Sequence, residues 1–238
     1  MTANAAAAPA AVKLAGRSPL AQLLHALNQP LTGLQCSMEV ALASLRTPEQ
    51  YVRGLREGLE LTERMRALVG AIREVTDMEE ENRFAADREE GTAAEWSAMV
   101  RATLDDLEPV AEMKSVRVEF ECDGATACAS AAMAARRIET AVFHLLESAL
   151  GAAALGSALR VQVGSDGAGQ KNAAWMLARW QAGWPASKVW RAEIGLLVAQ
   201  AGFERAGATW ARERTGEMET VTVRRSGGGI ERPQSFSS

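Results

Sequence analysis

The sequence predicts an α+β protein: an antiparallel helical hairpin first, then a mixed unit of helices and short strands. Three observations carry this. An apolar heptad run fills positions 20–45, and a second run of the same period follows a Thr-Pro break. Beyond residue 93, helical periods are interspersed with runs of period two. A lone hairpin buries only one stripe per helix, so it is expected to pair with a second copy as a dimeric four-helix bundle.

Residues 1–16 form an alanine-rich tail whose basic residues follow the alanines, which does not suit a signal peptide. The hairpin is placed at 17–78. Leu20, Leu24, Leu27, Leu31, Leu34, Met38, Ala41 and Leu45 step by four and three, the seam of a bundle helix. Thr47 is a good N-cap and Pro48 suits the first helical position. The second helix carries Leu61, Met65, Leu68, Ile72 and Val75, and is expected to end near Val75. So short a turn makes the two helices antiparallel. The acidic stretch from Asp77 to Gly91 suits a linker or a frayed helix end, and the linker is set at 79–92.

The second unit is placed at 93–225. Trp96, Met99, Val100, Thr103, Leu104, Leu107 and Val110 mark an amphipathic helix, and residues 116–120 alternate like a strand. Residues 131–150 read as a helix with Ile138, Val142, Leu145, Leu146 and Ala149 inward. Strands follow at 159–163 and 173–180, separated by turn chemistry at 165–169. A helix at 194–206 and strands around 209–211 and 220–223 complete the unit, and 226–238 is a Gly/Ser-rich tail.

Composition narrows the function. The chain has 238 residues and is 47% hydrophobic, but about a fifth is alanine, so the core is thinner than that figure implies. A net charge of -4 makes no electrostatic case for nucleic acid or acidic lipid. Three cysteines and two histidines suggest neither a disulfide framework nor a zinc site. No apolar run approaches the roughly 20 residues of a membrane span, and the expected location is the cytoplasm. Five of the six tryptophans fall between Trp175 and Trp210.

His25 lies one place past Leu24, and Asn28, Gln29 and Thr32 share its helix face. Such a group fits an ordinary solvated face. Pro30 weighs against that, because a proline inside a helix costs around 3 kcal/mol and kinks the axis. The segment HALNQPLTGLQ, His25 to Gln35, resembles the H-box of two-component sensor histidine kinases. Arg136 to Leu150 is similar to the helix bearing the N-box of their ATP-binding domain, and Ile194 to Trp210 to its late helix and following strand. The resemblance implies a dimerisation and phosphoacceptor hairpin, then a diverged α/β sandwich of the kinase ATPase type. It makes His25 the phosphoacceptor and Gln29 the residue that would orient a hydrolytic water, with Asn28 beside them. A response-regulator receiver domain would dock on that face.

Departures from the family pattern decide between readings. Ala26 stands where the family usually has Glu or Asp as a base, and His144 and Ser148 where two N-box asparagines are usual. Ser148 matches the asparagine that helps hold magnesium, which a serine hydroxyl could also ligate. Asp166-Gly167-Ala168-Gly169 spells the adenine-binding box but comes one strand too early, and reads as a turn. The strand after it ends Trp180-Gln181-Ala182-Gly183 without a carboxylate. Trp180, Trp184 and Trp190 are expected to fill the space of nucleotide and lid, and His144 to be a satisfied, partly buried histidine.

The leading reading is therefore a phosphorelay protein. His25 passes phosphoryl groups to and from receiver-domain aspartates without cofactor or metal, and histidine phosphotransferase activity is favoured over ATP-dependent kinase activity. One alternative is a diverged but active sensor kinase using ATP and magnesium. The other is a non-catalytic dimeric scaffold or inhibitor of a two-component system.

Overall fold

A computed structural model describes residues 18–43, 47–85, 96–122, 135–166, 173–183 and 189–225. Helix α1 (Pro19–Ala43) and helix α2 (Pro48–Ala85) form the hairpin. Both begin the same way. Ser18 Oγ accepts the Ala21 amide at 3.3 Å ahead of Pro19, and Thr47 Oγ1 accepts the Gln50 amide at 3.4 Å ahead of Pro48. Gln50 returns the contact by accepting the Thr47 amide at 3.0 Å, which completes a capping box. The Glu49 carboxyl sits below its usual range because it accepts its own backbone N–H and the Thr47 hydroxyl.

Helix α2 runs well past Val75. Residues 78–85 lack glycine and proline and are mostly sound helix formers, so the acidic stretch expected as linker begins as helix. The seam also differs in register from the heptad read along the chain. Leu23 and Pro30 are buried and Leu20, Leu27, Leu34, Ser37 and Ala41 half-buried, whereas Leu24, Leu31 and Met38 are 47, 54 and 59% exposed. Alternate members of the run thus form a second, outward stripe. Leu45 lies outside the described residues.

The second unit begins with α3 (Trp96–Asp106) and α4 (Glu108–Met113). A single amphipathic helix was expected here; Pro109, whose ring clashes with the preceding turn, breaks it at Leu107. Strand β1 (Arg117–Cys122) follows, then α5 (Ala135–Ala152), β2 (Ala158–Asp166), β3 (Ala173–Gln181), α6 (Val189–Arg205), β4 (Thr209–Thr215) and β5 (Met218–Arg225). The sheet order is β1-β2-β3-β5-β4. β1 and β2 are parallel, a pairing that needs a crossover, which α5 supplies; the other pairs are antiparallel. Asp166 pairs with Ala173 at one end of the antiparallel β2–β3 ladder, and the turn expected at 165–169 lies outside the described residues beyond Asp166.

The fold is α+β, with helices on one face of the sheet. Leu159, Val161, Met176, Ala178, Val221 and Val223 point into a core shared with Val142, Leu145, Leu146 and Ala149 of α5. Trp96, Phe203 and Trp210 stack in series at centroid distances of 6.1 and 5.9 Å, tying α3 to α6 and β4. The other sheet face is polar. Glu119 accepts from Arg160 at 2.7 Å and Glu121 from Gln162 at 2.6 Å. No described helix is long and apolar enough to cross a membrane.

The two units share a second core. Leu23, Leu68, Ala71 and Val75 of the hairpin bury against Ile194, Val198 and Ala201 of α6. That helix therefore touches α1 and α2 on one side and α5 on another.

Candidate functional site

His25 is exposed on α1, as are Asn28, Gln29 and Thr32. Helix geometry explains this. Leu23 and Leu27, each two residues away, stand about 200° around the axis and face the interior, which turns His25 to the opposite side. The same face carries the other three groups, so the residues picked out along the chain are brought together. Thr32 Oγ1 donates to the Asn28 carbonyl at 2.9 Å. The helix runs continuously through Pro30, which has no N–H for the Ala26 carbonyl, and the proline ring is buried. Ala26 is half-buried and packs into the shared core next to α6, where a longer acidic side chain would have to displace apolar neighbours.

The α5 positions lie well inside the protein. His144 Nε2 is 2.7 Å from Glu74 Oε1, a bridge from α5 to α2, with the histidine side chain 21% exposed. It is a satisfied, partly buried histidine, as its setting beside Phe143 suggests. Ser148 is buried at 5% exposure. Directly against it lies Gly195 of α6, where an added Cβ would overlap the serine hydroxyl. One turn on, a Cβ added at Gly151 would lie 3.8 Å from the Ala192 methyl. Small residues thus let α5 and α6 close on each other at the position matched to magnesium binding.

The end of β3 is closed in a similar way. Gly183 donates to the Ala152 carbonyl and Ala182 to the Glu217 carbonyl, both at 2.7 Å. A Cβ at Gly183 would sit 2.8 Å from the Ala154 Cα. The amide of Gln181 donates to Glu217 at 2.9 Å. Among the described residues, those at the matched positions do not fit a magnesium nucleotide: the hydroxyl of Ser148 is covered and the strand end bears an amide. Among the same residues, no three His, Cys, Asp or Glu side chains cluster in a way that would hold a metal ion.

The tryptophans do not fill this space as expected. Trp180 is fully buried in the main core. Trp190 begins α6 and packs on the hairpin, and Trp184 lies outside the described residues. It is the backbone of α6 at Gly195 that covers Ser148. The helix also starts at Val189, before the predicted Ile194, and its first turn sets Ala192 against Gly151 of α5.

One ionic cluster escaped sequence reasoning. Arg212 on β4 donates two hydrogen bonds to Glu193 on α6, at 2.7 and 2.6 Å, and a third to Glu219 on β5 at 2.5 Å. Burial works against the charge of Arg212, but the two carboxylates outweigh it and hold its guanidinium protonated well above its ordinary range. Glu219 is 4% exposed and in phase with Val221 and Val223. A carboxylate on the inward phase of a strand was the signal available along the chain.

No protein-family profile matches the sequence, and none of the curated proteins matches it. Solved structures do. The Acinetobacter baumannii histidine kinase AdeS superposes with a TM-score of 0.50 at 17% identity, over 86% of this chain and 98% of that one. ShkA, a full-length structure in complex with AMPPNP, gives 0.50 at 12% identity over 90% of this chain; the match spans about half of ShkA, 47%. A histidine kinase from Burkholderia phymatum STM815 gives 0.47 at 16% identity, over 87% and 99% of the two chains. The AdeS and ShkA superpositions give the chain the fold of a histidine kinase, over hairpin and second unit together.

The close seat of α6 makes an energetic prediction. Gly195→Ala is expected to cost about 1–3 kcal/mol through overpacking. In a Ser148→Ala background the new methyl would instead meet the Cβ of residue 148 at 3.5 Å, an ordinary contact, so most of the loss should return. Urea denaturation of the four chains in a double-mutant cycle checks this, and equal costs in both backgrounds would contradict it.

Proposed function

We propose that this protein is a histidine phosphotransfer protein built on a histidine-kinase fold, with His25 as phosphoacceptor and receiver domains as its donor and acceptor. The observation that carries this reading is the exposure of His25, in the HALNQPLTGLQ segment, on the outer face of a hairpin whose companion unit is closed at Ser148. A nucleophile that must meet an aspartyl phosphate on another protein has to stand in solvent, and His25 does.

In the forward step a ring nitrogen of His25 attacks phosphorus in line. The P–N bond forms as the bond to the aspartyl oxygen breaks, and the aspartate leaves as carboxylate. In the return step a receiver carboxylate attacks the same phosphorus, the P–N bond breaks, and the imidazole keeps the electron pair. Both ends of the exchange are proteins, so no nucleotide enters the cycle. Gln29, one turn from His25, is placed in the scheme as the amide that orients water for hydrolysis, with Asn28 at its edge.

Dimerisation belongs to the proposal as well. At the turn end of the hairpin Leu42, Leu55 and Leu59 are 89, 70 and 67% exposed, beyond the reach of α6. Covering each leucine fully contributes about 1.5–3 kcal/mol, which favours a second copy there. Sedimentation is expected to give a dimer for the wild type and a monomer for a chain carrying Leu55→Asp and Leu59→Asp. A monomeric wild type at micromolar concentration would remove dimerisation from the account.

A phosphorylated receiver supplies the direct functional test. Incubation with the wild type should give acid-labile label on this chain, and His25→Gln should give none while keeping the same fold by circular dichroism. Label that persists in the variant, or its absence from both, would sink the reading.

A further inference from the structure

The second unit does not hang from the hairpin on a wet, polar contact of the kind that permits domain motion. Ile194, Val198 and Ala201 of α6 enter a dry cluster with Leu23, Leu68 and Val75, and none of the six exceeds 9% exposure. Polar bridges lie at its margin. His144 meets Glu74 at 2.7 Å, and Arg205, at the end of α6, donates Nη1 to the Val75 carbonyl at 2.6 Å. On its other sides α6 is committed to its own unit, through Gly195 on Ser148 and the paired hydrogen bonds from Arg212 to Glu193. Lifting the unit off the hairpin would bare the apolar cluster, and moving α6 alone would break the Arg212 cluster.

We infer that α6 is a latch, an intramolecular contact that seats the second unit on the hairpin in one fixed position. The seat reaches Ala26, the residue next to His25, while His25 itself faces the opposite side. What this means for phosphoryl transfer rests on the phosphotransfer reading: the unit cannot swing across to His25, and a receiver meets a rigid, preformed face. The latch itself does not rest on that reading and is tested without a receiver or a phosphoryl donor.

Hydrogen exchange by mass spectrometry on the full chain provides the test. In the wild type, amides of residues 67–76 and 194–203 are expected to open together, their slowest rates agreeing within about tenfold. Ala201→Asp places a carboxylate in the cluster and is expected to speed both segments by about tenfold or more, while β2, β3 and β5 keep their protection. If that chain loses strand protection as well, the paired change Glu74→Gln with His144→Gln is read instead, and residues 67–76 should exchange severalfold faster. Exchange of 67–76 more than about a hundredfold faster than α6 in the wild type would overturn the latch. So would rates at 67–76 that neither variant alters.

Discussion

The close contact between α6 and α5 at Gly195 and Ser148 is the constraint on which the rest of the molecule depends. Two helices can approach so nearly only where side chains are minimal, and Gly151, Ala192, Gly195 and Ala199 supply the small surfaces. An alanine-rich composition, which first reads as a thin core, is what permits this approach. Once α6 is seated on α5, its far side presents Ile194 and Val198 to the hairpin, and the two units share a core. The Arg212 cluster then fixes the first turns of α6 to the sheet. A group so buried is weak support for stability by itself, but removing Arg212 would leave Glu219 a buried, uncompensated charge.

Much of the fold was legible along the chain because its signals are local. Thr47-Pro48 announces the second helix, the alternation in Val116–Phe120 and Leu159–Val163 announces strands, and the inward residues of α5 follow a helical period. What remained hidden is the set of contacts between distant segments. Leu24, Leu31 and Met38 look like seam residues since they keep the heptad, yet of the described residues in that run only Leu20, Leu27, Leu34 and Ala41 turn inward, alongside Leu23 and Pro30. An apolar period reports that a face is covered, and does not say by what. Here α6 and α2 cover one face, and Leu24, Leu31 and Met38 on the other stay exposed.

For the site, the same division holds. The exposure of His25, Asn28 and Gln29 could be read from their place off the inward positions, and the structure brings them onto one face. The tryptophans were expected to fill the space of nucleotide and lid, whereas the close contact the structure shows there is that of Gly195 with Ser148. Trp190 was placed on the wrong side because α6 was started five residues too late, and a helix begun at Val189 carries that ring to the hairpin. No local pattern joins Glu74 to His144 across seventy residues, so that bridge was out of reach. The proposed function rests on two observations taken together, an exposed His25 and a Ser148 covered by α6.

Calorimetric titration of the purified chain with ATP and magnesium tests this central claim most directly. The account expects no saturable heat, because Gly195 of α6 lies directly against Ser148. Saturable binding in the micromolar range would contradict it and would return the protein to the ATP-dependent kinases.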